Sequence, residues 1–198
     1  MNKQEMMNII EQSVHEKIQL NEIPEIDLYM DQVIQLFENK LSNSKRNEED
    51  KVLTKTMINN YAKAKLLMSV KNKKYSKEHL ILMSLIYELK GSLSINDIKL
   101  LLANIVDKFE NEEEYDLRGL YERYLVENKK DDEIIVNGLK NKINNIDDNS
   151  YEEKLLLILS TISMSNMYRR VGELLIDKYF GEEEEKNEKS KWFKERIN

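Results

Sequence analysis

Proline occurs once in this chain, at Pro24, and glycine only five times among 198 residues. So few breakers leave almost no point at which a helix is forced to stop. Leu, Ile, Lys, Glu and Asn are the commonest residues, which leaves Asn, Asp and Ser to make the turns. The expected fold class is therefore all-α. A chain of this length can bury a core as one large or two small domains. It contains no cysteine, which excludes disulfides, thiolate metal sites and a cysteine nucleophile.

Apolar residues recur at helical spacing along most of the chain. Met6, Ile10, Val14 and Ile18 sit four apart and predict a modest amphipathic helix in an N-terminal segment, 1–22. Pro24 is expected near the first turn of a second helix, with Leu28, Val33, Leu36 and Phe37 on one face. The run SNSKRNEED, 42–50, has no apolar residue and reads as a solvated loop. Three helix starts then share one construction. Thr54, Ser76 and Ser94 are N-cap candidates, each preceded by an apolar residue (Leu53, Tyr75, Leu93) and followed four positions later by another (Ile58, Leu80, Ile98). This is the hydrophobic staple, and Ser94 with Asp97 adds a capping box.

Between these caps lies a charge anomaly. From Lys51 to Lys77 there are eight lysines and no Asp or Glu, in a chain whose net charge is −6. On a helical wheel begun at Lys55, the residues Met57, Ile58, Tyr61, Ala62 and Ala64 share one side. Lys55, Thr56, Asn59, Asn60 and Lys63 occupy an arc of roughly 140° on the other. Every side chain of that arc donates hydrogen bonds and none is anionic. Such a helix suits a DNA major groove, where lysines meet phosphates or guanine edges and an asparagine pairs with adenine through two bonds. An acid-free solvated face is the plainer alternative, and the length of the acid-free run favours DNA. The following LLMSVKNKKYS places Lys71, Asn72, Lys73 and Lys74 at the tip of a small hairpin, the shape of a wing.

These residues resemble the winged helix-turn-helix of MerR-type transcription regulators. The stretch LTKTMINNYAKAKLL…KKYSKEHLILMSLIYELKGSLSINDIKLLL, 53–102, carries Tyr61, Leu66, Leu67, Tyr75, Ile86, Leu89, Lys90, Gly91, Ser94, Asp97, Ile98, Leu101 and Leu102 in the places that family uses. Asn59 and Asn60 stand where it has an arginine and a tyrosine, and the loop before the helix is longer than its tight turn. IPEIDLYMDQV, LTKTMINNY, YDLRGLYERYL and ELLIDKYF also resemble an uncharacterised bacterial domain family across nearly all of the chain. The MerR resemblance implies a DNA-binding module at 23–102 that reads duplex DNA with the helix 55–65 and a basic wing at 68–75. Its contact residues would be Thr54, Lys55, Thr56, Asn59, Asn60, Lys63, Lys71, Asn72, Lys73, Lys74 and Tyr75. It also implies a helical dimerisation or effector region, here 103–181, and hence a homodimer.

Residues 103–181 read as a helical bundle on their own pattern. Leu117, Leu120, Tyr121, Tyr124 and Leu125 keep an i, i+3, i+4 rhythm. Leu155 to Tyr168 is 14 residues without a charge and apolar nearly all round, so it is expected either in a core or against a second subunit, the core being the plainer reading. It is too short and polar to span a bilayer. The first 20 residues carry acids and no continuous apolar stretch, unlike a secretory leader, so a cytoplasmic location is expected. Residues 182–198 read as a charged tail in which Trp192 and Phe193 dock locally.

Catalytic patterns are weak. The two histidines, His15 and His79, have no partner at ligand spacing, and His79, third after Ser76, is expected to line a helix entry. No glycine-rich phosphate loop occurs, and the acids of NEEEYD and DDE fall where helix starts and loops ordinarily carry them. Arg169 and Arg170 are expected to pair with Glu173 in preference to a ligand. No enzyme activity, metal or cofactor is expected. The leading expectation is a DNA-binding transcriptional regulator. A helical adaptor gripping an acidic protein, and a sensor with an unidentified small-molecule effector in 103–180, are the alternatives.

Overall fold

A computed structural model describes residues 3–13, 17–147 and 149–181. Helix dominates: α1 (Lys3–Ser13), α2 (Met30–Leu41), α3 (Lys55–Lys63), α4 (Lys77–Leu89), α5 (Ile95–Glu110), α6 (Leu117–Asn145) and α7 (Tyr151–Ile176) are joined by short turns. The only sheet among the described residues pairs two two-residue strands, β1 (Leu28–Tyr29) and β2 (Lys74–Tyr75). They run antiparallel, with Leu28 opposite Tyr75 and Tyr29 opposite Lys74.

The three staple sites are helix starts. Thr54 caps α3 by accepting the Met57 amide at 3.2 Å, and Ser94 and Asp97 cap α5 reciprocally, each amide 3.1 Å from the other's side-chain oxygen. Leu53, Ile58, Tyr75, Leu80 and Ile98 are all buried, as the staple requires, with Leu93 partly so. Other boundaries differ. Pro24 is not in a first helical turn, because α2 begins only at Met30, where the Tyr29 amide donates to Gln32 Oε1 at 2.9 Å. Residues 28 and 29 are extended instead, drawn into the ladder with β2. At the N-terminal side the helix ends at Ser13, and Ile18 is buried from an extended segment. Val14 and His15 lie outside the described residues.

One apolar cluster runs from Ile18 through Val33, Phe37, Ile58, Leu66, Leu80 to Ile86, Ile98 and Leu102, and continues into Ile105, Val106, Leu117 and Tyr121. The first two turns of α6 therefore pack on the same core as α2 to α5. The phenol of Tyr121 donates to the Ile18 carbonyl at 2.7 Å, and burial pushes its pKa up to about 12. Arg118 bridges Glu25 at 3.0 Å and Glu78 at 2.8 Å, while the buried Lys77 reaches Glu25 at 2.6 Å. These pairs tie the segment before β1 to α4 and α6.

Beyond Leu125 the long α6 leaves that core and carries α1 along its second half. Helix α7 passes the last turns of α6, where Lys142 reaches Ser160, and meets α5. Among the described residues of α7 only Ile176 is buried. Leu155 to Tyr168 is thus not core among the described residues.

Candidate nucleic-acid interface

Helix α3 is oriented by the residues it buries. Ile58 and Tyr61 enter the core, Met57 and Ala64 are half-buried, and Lys55, Thr56, Asn59, Asn60 and Lys63 are all exposed. The wheel therefore describes this helix correctly, except that Ala62 is exposed as well. The helix ends at Lys63, two residues earlier than expected. Lys65 takes φ 60°, the Leu66 amide donates to the Tyr61 carbonyl at 2.9 Å, and the Lys65 amide donates to that of Ala62 at 3.0 Å. This is a Schellman cap, made with lysine where glycine is usual.

The expected wing is a tight turn with only one of its strands in a ladder. Asn72 and Lys73 have φ 53° and 61°, and the Lys74 amide donates to the Lys71 carbonyl at 3.0 Å. Two left-handed central residues are the mark of a type I′ hairpin turn. Residues 74 and 75, however, pair with 28 and 29, so the strand beside β2 comes from before α2 and not from 68–70. Lys71, Asn72 and Lys73 are exposed at the tip. Lys74 is half-buried, with its ammonium 5.3 Å from the centre of the Tyr29 ring.

Two expected contact residues are not free at this surface. Tyr75 is buried, its ring edge-on to His79 at 5.7 Å between centroids. Its side chain belongs to the core because β2 alternates, with Lys74 outward and Tyr75 inward. Thr54 is half-buried and its hydroxyl is engaged in the cap. Conversely, Tyr29 is 54% exposed beside Lys74 and joins the surface. Its position was hidden because residues 24–37 read as one helix; the outward half of a buried–exposed pair, Leu28 and Tyr29, was the available signal.

The electrostatics are mixed at the margins. Lys55 pairs with Asp31 at 2.9 Å and Lys71 with Glu112 at 3.7 Å, all four strongly exposed. Exposed pairs of this kind are worth little and exchange readily for another anion. The Ser69 amide donates to the Glu110 carboxylate, anchoring the approach to the turn on the end of α5. Behind the turn, the His79 ring bridges the Ser76 amide, 3.2 Å from Nδ1, and the Met68 carbonyl, 3.3 Å from Nε2. Burial lowers its pKa, so the ring is neutral, with Nδ1 accepting and Nε2–H donating. His79 thus stands at the helix entry as expected.

The surface can bind an anion and read hydrogen-bond patterns; it presents no nucleophile paired with a base. Among the described residues no group of three His, Cys, Asp or Glu side chains could hold a metal ion. Arg169 meets Glu173 at 3.3 Å, as expected. No helix of the described residues is long and apolar enough to cross a membrane.

The chain matches a family model described as Domain of unknown function (DUF1836) over residues 18–124. That span covers α2 to α5 and the start of α6, so the likeness takes in just over half of the chain and not nearly all of it. ELLIDKYF and the rest of α7 lie outside. No curated protein and no solved structure gave a significant match.

Proposed function

The chain belongs to the DUF1836 family, and from that premise we propose that it is a DNA-binding transcriptional regulator of MerR-like winged helix-turn-helix type. Helix α3 enters the major groove and the turn 71–74 rests on the adjacent backbone. The observation that carries this reading is the exposure of the whole donor arc, Lys55, Thr56, Asn59, Asn60 and Lys63, on a helix without an acidic residue. The order β1, α2, α3, β2, with the strand pair closing behind the helices, supports it. Lys63 and Lys73 have no acidic partner among the described residues and are free for phosphates. The test is equilibrium binding to duplex DNA across a salt series. Replacing Lys63 and Lys73 by Gln should flatten the slope of log K against log salt by about 1 to 2, at ~0.9 per phosphate contact. An unchanged slope, or no binding by the parent chain to duplexes selected from a random pool, overturns the reading.

A second reading, a sensor with its ligand in the helical region, has one observation in its favour. A cavity of about 290 Å³ opens between α1, α6 and α7, lined by Met6, Ile10, Leu139, Ile143, Leu157 and Ile162 among others. An apolar molecule would fit this lining. Thermal-shift screening of apolar compounds, repeated with DNA present, tests it: a stabilising compound that also alters DNA affinity supports a sensor.

A further inference from the structure

Taking the cavity between α1, α6 and α7 as a ligand site, as the sensor reading does, we infer that its occupant is an aliphatic chain bearing a carboxylate, with the chain in the cavity and the head on Lys142. Leu139 and Ile143 of α6 line this space with Leu157, Ile158 and Ile162 of α7. Thr161 lines it too, but its hydroxyl already donates to the Leu157 carbonyl at 2.8 Å. A ligand entering there gains by leaving water and meets almost no polar group inside, so a charge on it must stay at the edge. At about 290 Å³ the space stands at the lower limit of small-molecule pockets, about 300 Å³. It suits one flexible chain better than a fused ring system.

Lys142 supplies that edge. Half-buried on α6, it donates to the Ser160 hydroxyl and, at 3.1 Å, to the Met164 sulfur. Lys142 directly precedes Ile143 and Ser160 directly precedes Thr161, so this link crosses from α6 to α7 beside the cavity wall. Both partners are neutral, and no carboxylate among the described residues is within ion-pair distance of the ammonium. The other lysines within a turn of the lining are placed differently. Lys140 pairs with Glu11, Lys3 donates to the Asn144 carbonyl at 3.0 Å, and Lys154 is exposed. The remaining acids within a turn, Glu5, Asp147 and Glu153, make no ion pair with Lys142; Asp147 accepts the Asn149 amide at 2.9 Å and Glu153 lies in the first turn of α7. A half-buried ammonium held by a hydroxyl and a weak sulfur acceptor has its charge unanswered. A carboxylate arriving there exchanges the sulfur contact for a charge-assisted hydrogen bond. A neutral chain gains burial alone, and a short anion gains only a part-exposed ion pair, which is worth little.

Calorimetric titration of the full chain with decanoate, decanol and butyrate tests the proposal. Decanoate should bind about tenfold or more tightly than decanol, and butyrate should not bind measurably. Lys142→Gln should remove that preference while leaving decanol unchanged, and Lys142→Arg should keep it. Ile158→Gln, at a lining position 59% exposed, should weaken both chains with helicity retained, whereas Met167→Glu, on α7 outside the lining, should alter neither. Equal affinity for decanoate and decanol, or decanoate binding indifferent to Lys142→Gln, overturns Lys142 as the head site. Loss of binding in Met167→Glu as large as in Ile158→Gln overturns the cavity as the place of binding. Decanoate bound as expected without any change in DNA affinity upholds this site and overturns only the sensor. A neutral apolar compound that binds and alters DNA affinity where decanoate does not bind upholds the sensor and overturns this inference.

Discussion

The His79 ring nitrogen Nε2 lies 3.3 Å from the Met68 carbonyl, joining the first turn of α4 to the chain that leaves α3. Because burial disfavours its charged form and outweighs this bond, which favours it, the folded pKa lies below the ordinary value of 6.5. The unfolded chain then takes up the proton first as pH falls. Stability from this group should be complete above about pH 6.5 and decline as the medium is acidified through the folded pKa. The slope contributed is at most about 1.4 kcal/mol per pH unit. Urea titrations between neutral and mildly acidic pH check this: His79→Gln should flatten that stretch of the curve. An equal slope in both proteins would show that the ring titrates as it does in water.

Lys73→Gly separates folding from binding. The left-handed conformation at Lys73, φ 61°, strains any side chain and suits glycine, and Asn-Gly is the favoured pair for this turn. The variant should gain about 0.5 to 1 kcal/mol of stability while losing one phosphate contact. Thermal melting should rise as the salt slope of DNA binding falls by ~0.9.

Asn59 is expected to read a base. It sits between Lys55 and Lys63 on the exposed arc, and its amide both donates and accepts. Asn59→Ala should cost about 1 to 3 kcal/mol on the preferred duplex and relax one base pair, with little loss on random DNA. Competition binding across single-base variants distinguishes this from uniform weakening, which would assign Asn59 to the backbone.

The two carboxylates bordering the surface should act as brakes. Asp31, 2.9 Å from Lys55, and Glu112, 3.7 Å from Lys71, repel phosphates and occupy lysines that would otherwise meet them. Asp31→Asn and Glu112→Gln should each tighten DNA binding by about threefold to tenfold at low salt, with the gain vanishing at high salt. Weaker binding in either variant would place that edge away from the duplex.

What was readable in the chain was what is local to it. The caps at Thr54, Ser76 and Ser94 follow from neighbours within four residues, and the exposed arc of α3 follows from helical geometry alone. The helical pattern takes in Leu28 and Tyr29, but their conformation is decided by Lys74 and Tyr75, far along the chain. Tyr75 is expected at the surface only through the MerR resemblance, whereas the staple at Ser76 already points it inward, where it lies. For α7, composition shows an apolar helix without saying whether its own chain has anything left to bury it.

The pairing of β1 with β2 also bears on how this surface comes into being. The strands that close behind α2 and α3 are two residues each and bracket both helices, so neither can hold the turn before the other has been made. Closing that long loop costs entropy that is recovered only when the intervening apolar residues collapse together. The turn at 71–74 therefore acquires its shape only once β2 itself has been made, and an excised α3 lacks it. A short synthetic copy of residues 53–66 would carry the lysines and asparagines without their spatial frame. The surface is a property of chain closure, and its assembly reports completion of folding.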